Sequence, residues 1–139
     1  MRKILLFICG IMMISSVAMA EETTVCANGS GEIVKGNNGT LYCKSKLKMN
    51  WWTALGWCQA IGKTPIHYPS DCRCVGERCP TEMVGCPNFK GVFTTPTYAW
   101  TSMPQGNSEA LGIDLVSGKV LTYGVDLPRT TTNKFALCK

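Results

Sequence analysis

Residues that carry chemistry are scarce in this sequence, and each scarcity excludes a class of function. His67 is the single histidine in 139 residues, which excludes a metal site or an acid/base pair built from histidines. The sequence has no glycine-rich phosphate loop and no Gly-x-Ser-x-Gly nucleophile motif, and its carboxylates show no spacing typical of a catalytic pair. We therefore expect neither catalysis nor a cofactor. We expect His67, which lies between two prolines, to be a surface-loop residue.

Long apolar runs are also missing, except at the N-terminus. Arg2 and Lys3 precede an apolar run over residues 4–14, and Ala18-Met19-Ala20 fits the small-x-small cleavage pattern of an export signal. We predict a signal peptide over 1–20, cleaved after Ala20, and one secreted or periplasmic domain over 21–139. The run is shorter than the roughly 20 residues of a membrane-spanning helix, so no stable membrane insertion is expected.

Charge is low in the chain that remains after the predicted cleavage. It has 12 basic and 9 acidic residues, a net charge of +3, which is too small to indicate binding to nucleic acid. Lys44, Lys46 and Lys48 alternate along one segment. They are expected to form a solvated strand face or to protect a sheet edge.

Cysteine, in contrast, is abundant. Of the nine cysteines, Cys9 lies in the apolar run and the others follow the predicted cleavage site. An even number of cysteines in an exported chain indicates disulfides. Zinc is the alternative, because four cysteines cluster within 72–86, but the spacing lacks the paired C-x2-C of common zinc sites.

Local patterns predict an α+β fold with an antiparallel sheet and one main helix. Asn50 is a suitable N-cap for a helix over 51–61, whose apolar face includes Cys58, and Gly62 is suited to end it. Residues 64–88 hold four prolines and little periodicity, which predicts a loop insert held by the cysteines at 72–86. The predicted strands are two in 26–43, tied by Cys26–Cys43, and then 89–93, 97–101, 111–116, 119–123 and 135–139.

Several of these segments resemble one known family. Met49-Asn-Trp-Trp-Thr-Ala-Leu-Gly-Trp-Cys58 is similar to the first helix of C-type lectin-like domains, in which a Trp-x-x-Ala pattern leads to a cysteine. Lys134-Phe-Ala-Leu-Cys138-Lys resembles the closing strand of that family. Trp100-Thr-Ser and the hairpin over 112–123 resemble bacterial relatives, and the Cys26/Cys43 hairpin resembles that of the long-form domains. The resemblance covers 25–139 and implies a C-type lectin-like fold.

The resemblance also implies a Cys58–Cys138 bridge between the first helix and the last strand. The second bridge of the family has no counterpart, because no cysteine lies between 86 and 138. The insert cysteines must then pair among themselves, and Cys72 is too close to Cys74 for a comfortable bridge. Two pairings stay open: Cys72–Cys79 with Cys74–Cys86, or Cys72–Cys86 with Cys74–Cys79.

Calcium-dependent lectins of this family use a Glu-Pro-Asn or Gln-Pro-Asp triplet, followed by Trp-Asn-Asp, to bind Ca²⁺ and sugar hydroxyls. Neither triplet is present, so we predict no metal. A calcium site built from Asn107, Glu109, Asp126 or Asn133 is the alternative. The loops around 94–109 and 124–133 are expected to contact the ligand. The candidate contact residues are Trp100, Gln105, Asn107, Glu109, Asp126 and Asn133.

The tryptophans bear on the function because exposed aromatic rings stack on sugars and anchor protein interfaces. Burial of all four is expected, and the alternative is that Trp52 or Trp57 is partly exposed. The sequence thus indicates an exported recognition module that binds a glycan or a protein surface without calcium. A structural or accessory subunit of a bacterial surface assembly, such as a pilus or an adhesin, is the alternative.

Overall fold

The computed structural model describes Cys26 and residues 29–82, 84–122 and 128–139, and the predicted signal peptide lies outside this part of the chain. The chain forms an α+β fold with one mixed six-stranded sheet and one main helix. The strands are β1 (Gly31–Lys35), β2 (Leu41–Met49), β3 (Tyr98–Gln105), β4 (Glu109–Asp114), β5 (Val120–Leu121) and β6 (Lys134–Cys138), and the helix α1 is Trp51–Ala60. Within the described ranges no helix combines the length and apolar character needed to cross a membrane.

The sheet order is β1-β2-β6-β3-β4-β5, so the C-terminal strand lies in the middle. Neighbouring strands are antiparallel except β3 and β6, which are parallel at Ala99 and Phe135. The prediction of an antiparallel sheet is therefore wrong for this one pair. Alternating apolar residues show which face a strand buries, but they carry no information on the direction of its neighbours.

Helix α1 begins and ends as its sequence predicts. The Asn50 side chain accepts a hydrogen bond from the backbone N–H of Thr53 at 2.9 Å, which satisfies one of the unpaired donors of the first turn. Gly62 has a φ of 72° and follows the last turn, a backbone conformation that other residues adopt only with strain. The buried face consists of Trp51, Ala54 and Cys58.

The sheet is covered on both faces, and the loop insert covers one of them. One buried cluster joins α1 to Trp100, Ala110 and Ala136 of the sheet. The other joins the neighbouring strand residues, among them Ala99 and Leu137, to the insert. The insert contributes Ile66, Cys72, Cys86 and Phe89 to this second cluster. Since both faces are buried, β4 buries four consecutive residues, Ala110 to Ile113, instead of alternating between core and solvent.

Four disulfides hold these layers together. Cys26–Cys43 closes the N-terminal hairpin, and Cys58–Cys138 joins the buried face of α1 to β6. In the insert the second of the two open pairings is present, Cys72–Cys86 with Cys74–Cys79. Cys72 and Cys86 belong to the core, so their bridge fixes the insert against the sheet, whereas Cys74–Cys79 closes a small outer loop.

The predicted strand over 89–93 is absent. Pro87–Phe89 forms a 3₁₀ turn, and the Phe89 N–H bonds to the carbonyl of Cys86 at 3.1 Å. Phe89 is fully buried and makes an edge-to-face contact with Tyr42. The apolar side chains that suggested a strand therefore pack against the core and anchor the insert. This packing holds the segment in a turn instead of a strand.

The prediction for Lys44 is also wrong. Its side chain is buried, with its ammonium 3.6 Å from the centre of the Phe135 ring and 3.4 Å from the Glu32 carboxylate. The pairing of β2 with β6 shifts register between Lys44 and Lys48, which breaks the alternation that had placed these lysines on one face. Moreover, β2 lies between two strands, so it is not a sheet edge.

The buried Tyr42 makes stability depend on pH at the alkaline end. Burial raises the pKa of Tyr42, and the nearby Asp71 carboxylate raises it further, against the opposing effect of hydrogen bonds such as that from Asn88. The phenolate is thus disfavoured in the folded state. The stability that the neutral phenol contributes is complete below the unfolded pKa of about 10 and is lost as pH rises through the higher folded pKa.

We therefore expect the free energy of unfolding of the wild type to fall as pH rises above about 10, because tyrosine ionises in the unfolded chain before it ionises in the folded one. In Tyr42→Phe this part of the decline should be missing. Urea denaturation at several pH values measures both curves. Parallel curves for the two proteins would contradict the assignment.

Candidate ligand-binding surface

Two loop regions predicted to contact a ligand meet at the end of the β3–β4 hairpin. The hairpin turn over 106–108 lies against the segment that begins at Pro128, which forms a bridge with Glu109. The N–H of Arg129 bonds to the carbonyl of Ser108 at 2.9 Å. The Arg129 side chain donates from Nε to the Glu109 carbonyl and from Nη2 to the Gly106 carbonyl, both at 2.9 Å. Arg129 thereby fixes the hairpin turn to this segment.

The same arginine connects the loops to the start of α1. The N–H of Trp51 bonds to the Arg129 carbonyl at 3.0 Å, and the guanidinium lies 4.8 Å from the centre of the Trp51 ring and 5.9 Å from that of Trp52. Trp51 is buried, and its Nε1 donates to the Thr101 carbonyl. Trp52 is 52% exposed and meets Trp51 edge to face at 5.7 Å. We call the set of Trp52, Arg129 and the turn 106–108 the Trp52 surface.

The predicted contact residues take different places relative to this surface. Asn107 is exposed in the turn, and Glu109 follows it, partly exposed. Gln105 is partly buried, and its Oε1 is buried without a hydrogen-bond partner among the described residues. Only the amide nitrogen of this side chain is therefore available to a ligand. Asn133 lies at the start of β6, where its Oδ1 accepts from Lys134 and Thr131. Asp126 lies outside the described residues.

Trp100 does not lie at this surface. Only 1% of it is exposed, its Nε1 donates to the Met49 carbonyl at 2.8 Å, and the Lys134 ammonium lies 4.2 Å from its ring centre. A ligand on the surface cannot reach this ring. Trp100 is on the strand expected from the sequence, but it packs under α1, and this placement removes it from the candidate contact residues.

The described residues do not fit a calcium ion. Calcium requires six to eight oxygen ligands, mostly from carboxylates, carbonyls and amides. Here the Arg129 guanidinium occupies the carbonyls of Gly106 and Glu109, and the Lys134 ammonium occupies the Asn133 amide oxygen. Of the candidate calcium ligands, the Asn133 amide oxygen is thus bonded to a cation, and the two nearby positive charges oppose the binding of a third cation.

A separate polar cleft of about 470 Å³ surrounds His67, which is exposed as predicted. Its lining consists of Thr64, Pro65, His67, Ser70, Asp71 and Lys139. The imidazole Nδ1 lies 2.8 Å from the Ser102 hydroxyl, which resembles the contact between a serine nucleophile and its histidine base. In a catalytic triad a third group orients the imidazole. The Asp71 carboxylate, however, accepts from the backbone N–H of His67 and pairs with Lys139 at 3.5 Å. It therefore orders the loop instead of orienting the imidazole.

Trp52 and Arg129 were not among the predicted contact residues. Trp52 could have been preferred over the other tryptophans, because it is one residue away from the apolar face of Trp51, Ala54 and Cys58 and a helix turns about 100° per residue. Arg129 has no local signal in the sequence. Its importance comes from two loops that meet only in the folded chain.

Comparison with known proteins does not place the chain in a family. No protein-family model matches the sequence, and no curated protein is significantly similar to it.

Proposed function

We propose that this protein is an exported recognition module that binds a glycan through the Trp52 surface without calcium. The observation that carries the proposal is the half-exposed indole of Trp52, held beside the Arg129 guanidinium and a polar turn. Sugar rings present C–H groups on one face and hydroxyls at the rim. An aromatic ring bordered by hydrogen-bonding groups complements both.

Rigidity supports this proposal. Trp52 is the second residue of a helix that is capped by Asn50, bound to the core through Trp51 and joined to β6 by Cys58–Cys138. A ring held in this way loses little conformational freedom when a ligand stacks on it. The four disulfides are typical of an oxidising, extracellular compartment, where glycans of cell surfaces are found.

A glycan is favoured over a protein partner because few large apolar side chains are exposed among the described residues. The exposed large apolar residues of the described chain are Ile33, Leu47, Trp52 and Val75, and they lie on β1, β2, α1 and the insert. A stable protein interface needs about 800 Å² on each partner with a clustered apolar centre. A single indole bordered by polar groups is better matched to one or two sugar rings.

The fold that we propose is C-type lectin-like, as the resemblance of the sequence implies. It is supported by the bridge from α1 to the last strand, by the N-terminal hairpin closed by Cys26–Cys43, and by the central position of β6. The insert occupies the chain between α1 and β3.

Trp52→Ala should weaken glycan binding at least about tenfold, which corresponds to ~1.4 kcal/mol, because the stacking platform is lost. Trp52→Phe retains a smaller ring and should retain most of the affinity. Screening the wild type on a glycan array identifies the ligand, and titration calorimetry compares the variants. A chelator should leave every affinity unchanged.

Leu47→Ala is the matched control, because Leu47 is 75% exposed on β2 and contributes no ring. It should bind like the wild type. Wild-type protein that binds no glycan on the array, or Trp52→Ala that binds as tightly as the wild type, would overturn the proposal. A pull-down that captures the same partner with Trp52→Ala would do so as well.

A further inference from the structure

The charge of Arg129 indicates which glycans the Trp52 surface selects. We infer, on the basis of the proposed function, that the bound glycan carries an anionic group, a carboxylate or a sulfate, that pairs with the Arg129 guanidinium. Neutral glycans would bind through stacking on Trp52 alone and therefore more weakly.

Arg129 has bonding capacity left over. Two of its N–H donors bond to the carbonyls of Glu109 and Gly106, which are neutral acceptors, and a guanidinium has further N–H groups in the same plane. Among the described residues no carboxylate lies within salt-bridge distance of Arg129. The ion pairs of the described residues are Lys44–Glu32, Lys90–Glu82 and Lys139–Asp71, and none of them includes Arg129.

The geometry places this charge next to the Trp52 ring. The guanidinium lies within 6 Å of the Trp52 ring centre, so the substituents of a sugar stacked on Trp52 lie beside it. The planar fork of a guanidinium matches the paired oxygens of a carboxylate or a sulfate, and such charge-assisted pairs are roughly twice as strong as neutral hydrogen bonds. Its two backbone bonds hold the fork in position before the ligand arrives.

Three described charged residues precede or follow parts of this surface along the chain, two lysines and one glutamate. The first turn of α1 contains no acidic residue, and Lys46 and Lys48, both exposed, precede it on β2. Glu109 is the acidic residue of the three, and its partly exposed side chain follows the turn 106–108. Its carboxylate opposes an anionic ligand, so Glu109→Gln should raise the affinity for one.

The test uses three oligosaccharides that differ in one substituent: a β-linked glucose oligosaccharide, its C6-carboxylate counterpart and its 6-sulfate counterpart. The wild type should bind at least one of the two anionic forms at least about tenfold more tightly than the neutral form. Arg129→Gln should remove that preference and keep the weaker neutral binding. Which anionic form binds more tightly distinguishes a carboxylate ligand from a sulfate ligand.

Arg129 also supports the hairpin turn, so two further measurements keep the test valid if Arg129→Gln is destabilised. Arg129→Lys retains the positive charge and should retain part of the anionic preference. Raising NaCl from about 50 mM to about 500 mM should weaken wild-type binding of the anionic form and leave neutral binding unchanged, because salt screens charges.

The outcomes separate this inference from the proposed function. Equal wild-type affinities for the neutral and anionic forms, with Trp52→Ala defective for all of them, would overturn the role of Arg129 and leave the stacking surface intact. Anionic preference that persists in Arg129→Gln would also overturn it. Loss of all glycan binding by the wild type would overturn the proposed function itself.

Discussion

Replacing the core disulfide by the double substitution Cys58→Ala, Cys138→Ala is expected to lower the free energy of unfolding by about 4 kcal/mol. The bridge joins residues 80 apart in sequence, so it removes a large part of the conformational entropy of the unfolded chain. Both cysteines are buried, at 1% and 0% exposure, and the smaller alanines leave a cavity between α1 and β6. The loss is a large fraction of the roughly 5–15 kcal/mol that stabilise a typical domain.

Cys74→Ala, Cys79→Ala is the matched control, because it also removes one disulfide and two sulfurs. The Cys74–Cys79 bridge spans only 5 residues, in the outer part of the insert, so its loss should cost about 2 kcal/mol. Chemical denaturation of the three proteins, with the remaining bridges verified by mass spectrometry, measures both losses. An equal or greater loss in the control would show that the bridge from helix to strand is not the main covalent support.

Trp100→Ala is expected to destabilise the fold by about 3–5 kcal/mol, because it removes a fully buried aromatic side chain. The ring packs in the cluster under α1, donates a hydrogen bond to Met49 and lies against the Lys134 ammonium. Its removal leaves a cavity and a partly buried carbonyl without its donor. Thermal and urea denaturation measure the effect.

Trp52→Ala supplies the contrast, since it removes the same type of side chain from the surface. It should change the free energy of unfolding by about 1 kcal/mol or less, while it weakens glycan binding. Trp100→Phe, which fills most of the space, should bind glycan like the wild type. A Trp100→Ala variant as stable as the wild type would contradict the packing described between the buried face of α1 and the sheet.

Part of the proposed ligand-binding surface could be predicted and part could not. The turn that holds Asn107 contains glycine and asparagine, which favour turns and are visible in the sequence, so the exposure of Asn107 was predictable. Trp100 shows the limit of this approach. A tryptophan next to those loops has the same local pattern whether its ring faces the core or the solvent. The helix that packs over the sheet decides between the two.

The sequence by itself determined what depends on neighbours along the chain. It determined α1, because an N-cap, an apolar face and a terminal glycine act within a few residues. It also determined that Cys58 points inward, and that a loop-rich stretch with many cysteines needs disulfides. The folded chain alone decided what depends on contacts between distant segments.

The features that depend on such contacts are the relative direction of strands, the burial of side chains and the contacts between distant residues. Three of them arise when strands far apart in sequence pair: the direction of β3 relative to β6, the burial of Lys44, and the packing of the insert over the second face of the sheet. The contact of Arg129 with Trp52 and the hairpin turn arises in the same way. The physical reason is that hydrophobic burial is non-directional, so the arrangement of segments is settled by the strand pairing and close packing of the whole chain.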